Sequence, residues 1–332
     1  MKIFNTEYAI KVENLSKNYG NVNALNSINF EVKNGEIFGI IGPDGAGKST
    51  LFRILTTLLL SDSGKVELFG NDVVKEYKSI RKSIGYMPGK FSLYQDLSVE
   101  ENLRFFASVF GTTVKENYYL IEPIYKQIEP FKKRRAGDLS GGMKQKLALC
   151  CALIHKPQIL FLDEPTTGVD AVSRKEFWDM LDFLKKNGLT ILVSTPYMDE
   201  ASRCDNVALI YKGNILTVKS PQEIVASHSE KVLSIKGNNR YKLICDLREF
   251  YDAKYVFTFG DSLHFTSKSN RFDEEYFQEI KEYLKAKNHH NIQIEPAKIT
   301  IEDSFMSLMQ KKSDNNNSNS HNTAYRKNRG EK

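Results

Sequence analysis

Two runs of consecutive apolar residues, Ile37 to Ile41 and Ile159 to Leu162, interrupt an otherwise mixed pattern of hydrophobic and polar positions. Unbroken apolar runs of this length suit strands buried on both faces of a parallel sheet. A helical stretch, Ser49 to Leu60, follows the first run. Ser98 and Glu101 have the spacing of a capping box, which predicts a helix over Asn102 to Phe110. After Pro221 the pattern changes. Val232 to Ile235 reads as a strand, and Leu243, Ile244, Leu247 and Phe250 recur at helical spacing. Tyr255 to Phe259 and Leu263 to Phe265 flank Gly260-Asp261-Ser262 as a hairpin. Tyr276, Phe277, Ile280, Tyr283 and Leu284 form a second helical stripe, and Ile292 to Ile294 a closing strand. The order β-α-β-β-α-β suggests a ferredoxin-like split βαβ unit. Ile301, Phe305, Leu308 and Met309 mark a last helix whose stripe reads as core packing.

Between the first apolar run and its helix stands Gly42-Pro43-Asp44-Gly45-Ala46-Gly47-Lys48-Ser49-Thr50, which fits the phosphate-cradling pattern G-x-x-x-x-G-K-[ST]. Glycines let the backbone bend so that successive N–H groups face an anion, and the new helix adds its positive end. Lys48 is placed to reach the β- and γ-phosphates, and the Ser49 hydroxyl to ligate Mg²⁺. The second apolar run ends in Asp163-Glu164. Acids at the carboxyl end of a buried strand sit where ligands bind in open α/β sheets. Asp163 is the candidate to hold Mg²⁺ through water, and Glu164 to orient or deprotonate an attacking water.

Composition narrows the picture. The chain has 332 residues, 41% of them apolar, enough for one large domain and a smaller one. No stretch approaches the roughly 20 apolar residues that span a bilayer; Leu51 to Leu60 comes nearest but is short and carries Arg53. The start, Met1 to Lys11, has no apolar signal core, so a cytosolic protein is expected. Cys150, Cys151, Cys204 and Cys245 form no C-x-x-C pair and are expected to be buried free thiols in a reducing compartment. Of the net charge of +6, residues 311–332 hold +4. That Asn- and Ser-rich stretch is expected to be a disordered polar tail, solvated or touching anionic lipid or nucleic acid. Lys132-Lys133-Arg134-Arg135 reads as a solvated face, and His289-His290 as a solvated pair near a helix end.

Leu139-Ser140-Gly141-Gly142-Met143 lies between the two nucleotide motifs. With them it resembles the signature of ABC-type ATPases, whose usual form has Gln where Met143 stands. The resemblance covers residues 7–220. It implies an α/β cassette of the P-loop NTPase class, with a mixed sheet core and a helical subdomain, over residues 1–225. A smaller α+β accessory domain follows over 226–310 and the tail over 311–332. The cofactors implied are ATP and Mg²⁺. Ser140, Gly141, Gly142 and Met143 would close over the γ-phosphate bound by a second cassette, and Asp170 would be the acid of the D-loop. Tyr19, placed before the first strands, looks like the aromatic that stacks on adenine, with a sheet tyrosine as the competing reading. The helix over Asn102 to Phe110 would belong to the subdomain that touches membrane partners.

Two positions depart from the family. A glutamine that contacts Mg²⁺ and water follows the strand matching Ile84 to Pro88; this chain has Gly89. Gln95 reaches that place only by rearranging the loop. A histidine that bonds the γ-phosphate follows the strand matching Thr190 to Ser194; this chain has Pro196, without a side-chain donor or an N–H. The resemblance implies the ATP-binding subunit of an exporter-type ABC transporter of the drug or lipid efflux kind. It would sit on the inner face of the cell membrane beside separate transmembrane permease subunits, paired with a second cassette, with no nucleic acid expected. Slow hydrolysis, or a largely non-hydrolysing role in an asymmetric heterodimer, follows from the departures. A soluble ATPase acting on nucleic acid or ribosomes is the other class. Against it stand a lone phosphate loop and too few residues between Lys48 and Asp163 for an inserted coiled coil.

Overall fold

The computed structural model describes residues 7–310 and 312. The tail expected over 311–332 lies outside the described residues apart from Lys312. The chain opens with a long antiparallel hairpin, β1 (Tyr8–Tyr19) and β2 (Val22–Lys33). β3 (Ile37–Ile41) leads into α1 (Lys48–Leu55). β4 (Ser63–Leu68) and β5 (Asn71–Asp72) join the hairpin in an antiparallel sheet ordered β2-β1-β4-β5. After α2 (Tyr77–Ser83) and β6 (Ile84–Met87) come α3 (Val99–Val109), α4 (Val114–Tyr125) and α5 (Gly141–Leu153), which pack on one another. Then follow β7 (Ile159–Asp163), α6 (Ala171–Lys186), β8 (Thr190–Thr195), β9 (Asn206–Tyr211) and β10 (Asn214–Lys219).

The second sheet runs β10-β9-β3-β8-β7-β6, parallel except for edge strand β10. Every residue of β3, β7 and β8 is buried, which is why these strands carry no polar alternation. Phe30 of β2 stacks on Phe38 of β3 at 5.5 Å, joining the two sheets, and Phe52 of α1 meets Phe161 of β7 edge-on at 6.1 Å. The second contact fixes the helix behind the phosphate loop against the strand that ends in the acids. α1 is shorter than the expected Ser49 to Leu60. The Thr56 hydroxyl bonds back to the Phe52 carbonyl (2.7 Å) and Thr57 turns left-handed (φ +64°), which ends the helix before the exposed Leu58 and Leu60. The Ser98 capping box forms with both of its bonds.

The chain divides between Pro221 and Gln222, within α7 (Pro221–Ala226), into two compact units. The second contains β11 (Leu233–Lys236), α8 (Arg240–Arg248), β12 (Ala253–Phe259), β13 (Ser262–Ser267), α9 (Glu274–Ala286) and β14 (Gln293–Pro296). Its sheet, ordered β12-β13-β11-β14, is antiparallel, with β13 splitting the helix-linked pair β11 and β12 as the hydrophobic pattern predicts. α8 and α9 cover one face through Leu243, Leu247, Phe277, Ile280 and Leu284. Tyr255, Phe257 and His264 on the other face are buried too. Residues 301–310 form the expected last helix, with Ile301 and Phe305 buried and Asp303 bonded to His264 Nδ1 at 2.7 Å. Two expectations fail. His290 is exposed, but His289 is buried and bonded to Asp246 at 2.7 Å, because α9 ends over α8. Cys150, Cys151 and Cys204 are buried free thiols, whereas Cys245 lies on the outer side of α8 and is exposed. Among the described residues no helix is long and apolar enough to cross a membrane.

Candidate nucleotide-binding site

The phosphate loop spans from the end of β3 to the first turn of α1, so Lys48, Ser49 and Thr50 open the helix. The loop is wedged between strand ends. A side chain at Gly42 would place its Cβ 2.2 Å from the Ile210 carbonyl oxygen, and one at Gly47 (φ +104°) 2.4 Å from that of Ala24. Only glycine fits either position. Gly42 N donates to Thr195 O (3.3 Å) and Gly213 N to Ala46 O (2.9 Å), pinning Gly42-Pro43-Asp44-Gly45-Ala46-Gly47 from both sides. The Lys48 ammonium is 3% exposed and donates to the Gly42 (2.8 Å) and Pro43 (3.1 Å) carbonyls. It pairs with Glu164 at 3.1 Å, and exposed Asp44 lies 3.9 Å away.

Asp163 is the last residue of β7 and is buried; its Oδ1 accepts from the Ser194 hydroxyl at 2.6 Å. The Glu164 amide donates to the same hydroxyl and to the Ser194 carbonyl, each at 3.0 Å. Glu164 itself is held left-handed (φ +51°), an uncommon state for a residue with a side chain. Ser194 is thus a positioning residue for both acids that the sequence reading did not single out. Its one signal is a polar end, Ser194-Thr195, on an otherwise apolar strand. On β6, burial and then the charge of Asp163 push the Tyr86 phenol up to about 12.

A cleft of about 380 Å³ runs from Tyr19 past Ala24 to Gly47, Lys48, Ser49, Thr50 and Glu164, with Lys212 on its wall. Tyr19 does not precede the first strands; it closes β1, 45% exposed, with the Lys17 ammonium 5.9 Å from its ring. The cleft fits a nucleoside triphosphate: an aromatic at one end, and at the other a buried cation beside a helix start and a loop that excludes Cβ atoms. Among the described residues no three His, Cys, Asp or Glu side chains could hold a metal by themselves. Ser49 and Asp163 therefore suit an ion that takes most of its ligands from phosphates and water, as Mg²⁺ does.

Ser140 caps α5, accepting from Met143 N at 3.4 Å. A Cβ at Gly142 would come 2.8 Å from Ser173 Oγ, so this turn packs against the start of α6. Asp170 caps α6, accepting from Ser173 N (3.0 Å) and Val172 N (3.1 Å), and these backbone bonds hold its carboxyl below the usual range. Neither Ser140-Gly141-Gly142-Met143 nor Asp170 lines the cleft.

Residues 25–167 match the family model described as ABC transporter. Over 249 residues the chain is 37% identical to the Nod factor export ATP-binding protein I of a Rhizobium species, covering 74% of this chain and 82% of that one. The chain belongs to the ABC transporter family. This cassette is also 42% identical over 225 residues to the probable multidrug ABC transporter ATP-binding protein YbhF of Escherichia coli; the match covers 66% of this chain but spans only 38% of that relative's length. Among solved structures, cbiO1 from Clostridium perfringens, part of an ABC transporter complex, superposes with a TM-score of 0.61 at 31% identity, covering 67% of this chain and 92% of that one. A dimeric ATP-binding cassette bound to ADP and phosphate, MJ0796, gives 0.58 at 26% identity, covering 64% and 98%.

Of the two positions expected to depart from the family, Gly89 lies beside the acids. Gly89 follows β6, and a Cβ there would come 3.1 Å from the Asp163 carbonyl oxygen and 3.8 Å from Glu164 Cβ. Pro196 follows β8; beyond it Tyr197 N donates to Thr195 Oγ1 (3.1 Å) and the Arg174 guanidinium covers the Tyr197 ring at 4.6 Å. Gln95 is not brought to the acids: it is exposed, and its carbonyl accepts from Gly137 N at 2.9 Å.

Proposed function

We propose that this cassette is the ATP-binding subunit of an exporter and that its own site binds ATP well but hydrolyses it slowly. The observation that carries this is a phosphate cradle that opens, with Lys48 and Glu164, on one cleft, with Asp163 buried at the strand end before Glu164, beside two positions that offer no side-chain donor. The backbone of 42–47 and Lys48 hold the phosphates, Tyr19 stacks on the adenine, and Ser49 and Asp163 hold Mg²⁺, which supplies charge neutralisation at the phosphates. Glu164 accepts the proton of the attacking water. Removing one preorganised donor costs about 10²–10³ in turnover, and losses at residues that act as a unit do not multiply. Signature residues Ser140, Gly141, Gly142 and Met143 and the D-loop Asp170 serve a second cassette, consistent with their place outside this chain's own cleft.

Relatives named for multidrug and Nod factor export support export as the direction of transport. Docking on transmembrane permease subunits at the inner membrane face is supported by a second, mostly apolar cleft of about 410 Å³ between β6, α3 and α5, lined by Tyr86, Met87, Phe91, Phe106, Phe110 and Cys151. No nucleic-acid partner is proposed. Gly89 and Pro196 also favour a second reading, in which the cassette pairs with a more active partner cassette in an asymmetric heterodimer. The test is steady-state ATP turnover by the purified chain, beside Glu164→Gln and the pair Gly89→Gln with Pro196→His. Tight binding with slow turnover that rises in the paired variant is expected, once the 3.1 Å approach at position 89 relaxes by a few tenths of an ångström. Brisk turnover by the native chain, abolished by Glu164→Gln and unimproved by the pair, overturns the slow-site reading.

A further inference from the structure

The β9–β10 hairpin closes with Lys212-Gly213, both left-handed (φ +46° and +72°), the geometry of a two-residue type I′ turn. Asn, Asp and Gly adopt the first of those positions readily; lysine there is unusual and is held against a steric cost. The turn is fixed in place. Gly213 N donates to Ala46 O at 2.9 Å, Gly213 O accepts from Asn26 N at 2.7 Å, and the Lys212 carbonyl accepts from Asn214 Nδ2 at 2.7 Å. Lys212 therefore stands at the carboxyl end of β9, next to β3 and its loop, where open α/β sheets bind their ligands. It lines the cleft that holds Tyr19 and Lys48. Unlike Lys48, it has no carboxylate partner among the described residues; its ammonium lies 5.2 Å from the Tyr211 ring.

We propose that Lys212 is a nucleotide-binding residue that contacts the α-phosphate end of ATP, a role that rests on the ATP-binding reading above. The turn's neighbours fix which end. A Cβ at Gly213 would come 2.7 Å from the Ala24 carbonyl oxygen and 3.2 Å from that of Asn23, a few residues beyond Tyr19. Gly213 N also bonds to Ala46 O, so the turn stands between the strand that follows Tyr19 and the phosphate loop, whereas the Lys48 ammonium pairs with Glu164. The two lysines thus divide the triphosphate: Lys48 at its terminal phosphates, Lys212 where phosphate meets ribose. An exposed cation of this kind interacts with an anion at modest strength and is screened by salt.

The experiment is isothermal titration of the full chain with MgATP, MgADP and adenosine at low and physiological salt, for the native chain, Lys212→Ala, Lys212→Arg, Lys212→Glu and Lys48→Ala. Melting curves confirm that each variant folds. Lys212→Ala should weaken ATP and ADP by the same factor, about fivefold to tenfold, as expected for one partly solvated charge. Lys212→Glu should weaken both further, Lys212→Arg should stay near native, and adenosine should not respond. The ATP affinity of Lys212→Ala should also fall less steeply with salt. ATP affinity unchanged in Lys212→Glu overturns the proposal while leaving the ATP-binding reading intact. A loss confined to ATP and absent for ADP overturns the assigned α-phosphate position. If the native chain binds no ATP, both readings fail together.

Discussion

Ser194→Ala removes one oxygen from a place where water cannot replace it, since Ser194 is fully buried. That oxygen has two partners, and their losses differ. The Glu164 amide keeps a second acceptor, the Ser194 carbonyl at 3.0 Å, so it is not orphaned. Asp163, itself buried, loses a 2.6 Å bond from a hydroxyl. A hydrogen bond to a charged group contributes about 1.5–3 kcal/mol. For a domain of 150–250 residues each kcal/mol moves Tm by about 2–4 °C, so the apo chain should melt roughly 3–12 °C lower. Calorimetry of Ser194→Ala, Asp163→Asn and the double variant separates the bond from generic core damage. If the bond carries the effect, Ser194→Ala costs far less in the Asp163→Asn background, with a coupling on the order of 1 kcal/mol. Released from Ser194, Asp163 should also hold Mg²⁺ less well, raising the Mg²⁺ needed to retain ATP. A Tm within about 1 °C of native, or simple additivity of the two substitutions, refutes the positioning role.

The left-handed backbone at Glu164 stores strain of order 1–3 kcal/mol, which glycine releases at an unfolded-state cost of about 0.4–1 kcal/mol. Glu164→Gly should therefore melt about 2–4 °C above Glu164→Ala, both lacking the carboxylate; equal melting points in calorimetry would remove strain from the account. In the C-terminal unit, burial opposes ionisation of Asp303, but the bonds from His264 and Thr300 outweigh it and hold the carboxyl below its usual range. Its stabilisation is thus fully present above the unfolded value of about 3.9 and is lost as pH falls through the lower folded value. Hydrogen exchange over residues 301–310 should accelerate below about pH 4 and, in Asp303→Asn, be fast already at neutral pH; exchange indifferent to both changes would show that the His264 bond does not hold this helix.

What was legible in the sequence was what is locally determined. Unbroken apolar runs gave β3 and β7, the Ser98 capping box gave α3, though it starts at Val99 and not at the expected Asn102, and the C-terminal order of elements gave a split sheet. Early termination of α1 was not legible, because Leu51 to Leu60 is apolar throughout except for Arg53 and two threonines, and Thr56 and Thr57 break the helix by a back-bond and a positive φ. Nor was the burial of His289, which depends on Asp246 lying across from it on α8, 43 positions earlier.

The site divides along the same line. The loop, Lys48 and the acid pair are contiguous motifs, whereas Ser194, Lys212 and the Ala24 carbonyl that requires Gly47 arrive by strand pairing and loop packing. Strand order also explains why the two departures belong together. β7, which ends in the acids, has β6 on one side and β8 on the other, and Gly89 and Pro196 are the positions just past those two neighbours. Both flanks of Glu164 thus lack the side-chain donors that the resemblance leads one to expect. Ser194, also on β8, donates its hydroxyl to Asp163 and accepts the Glu164 amide on the same oxygen, so it holds the proposed metal-holding acid by its carboxylate and the proposed water-activating one only by its backbone. On the proposed slow-site reading, such an arrangement should separate the two steps, leaving nucleotide binding intact and turnover slow.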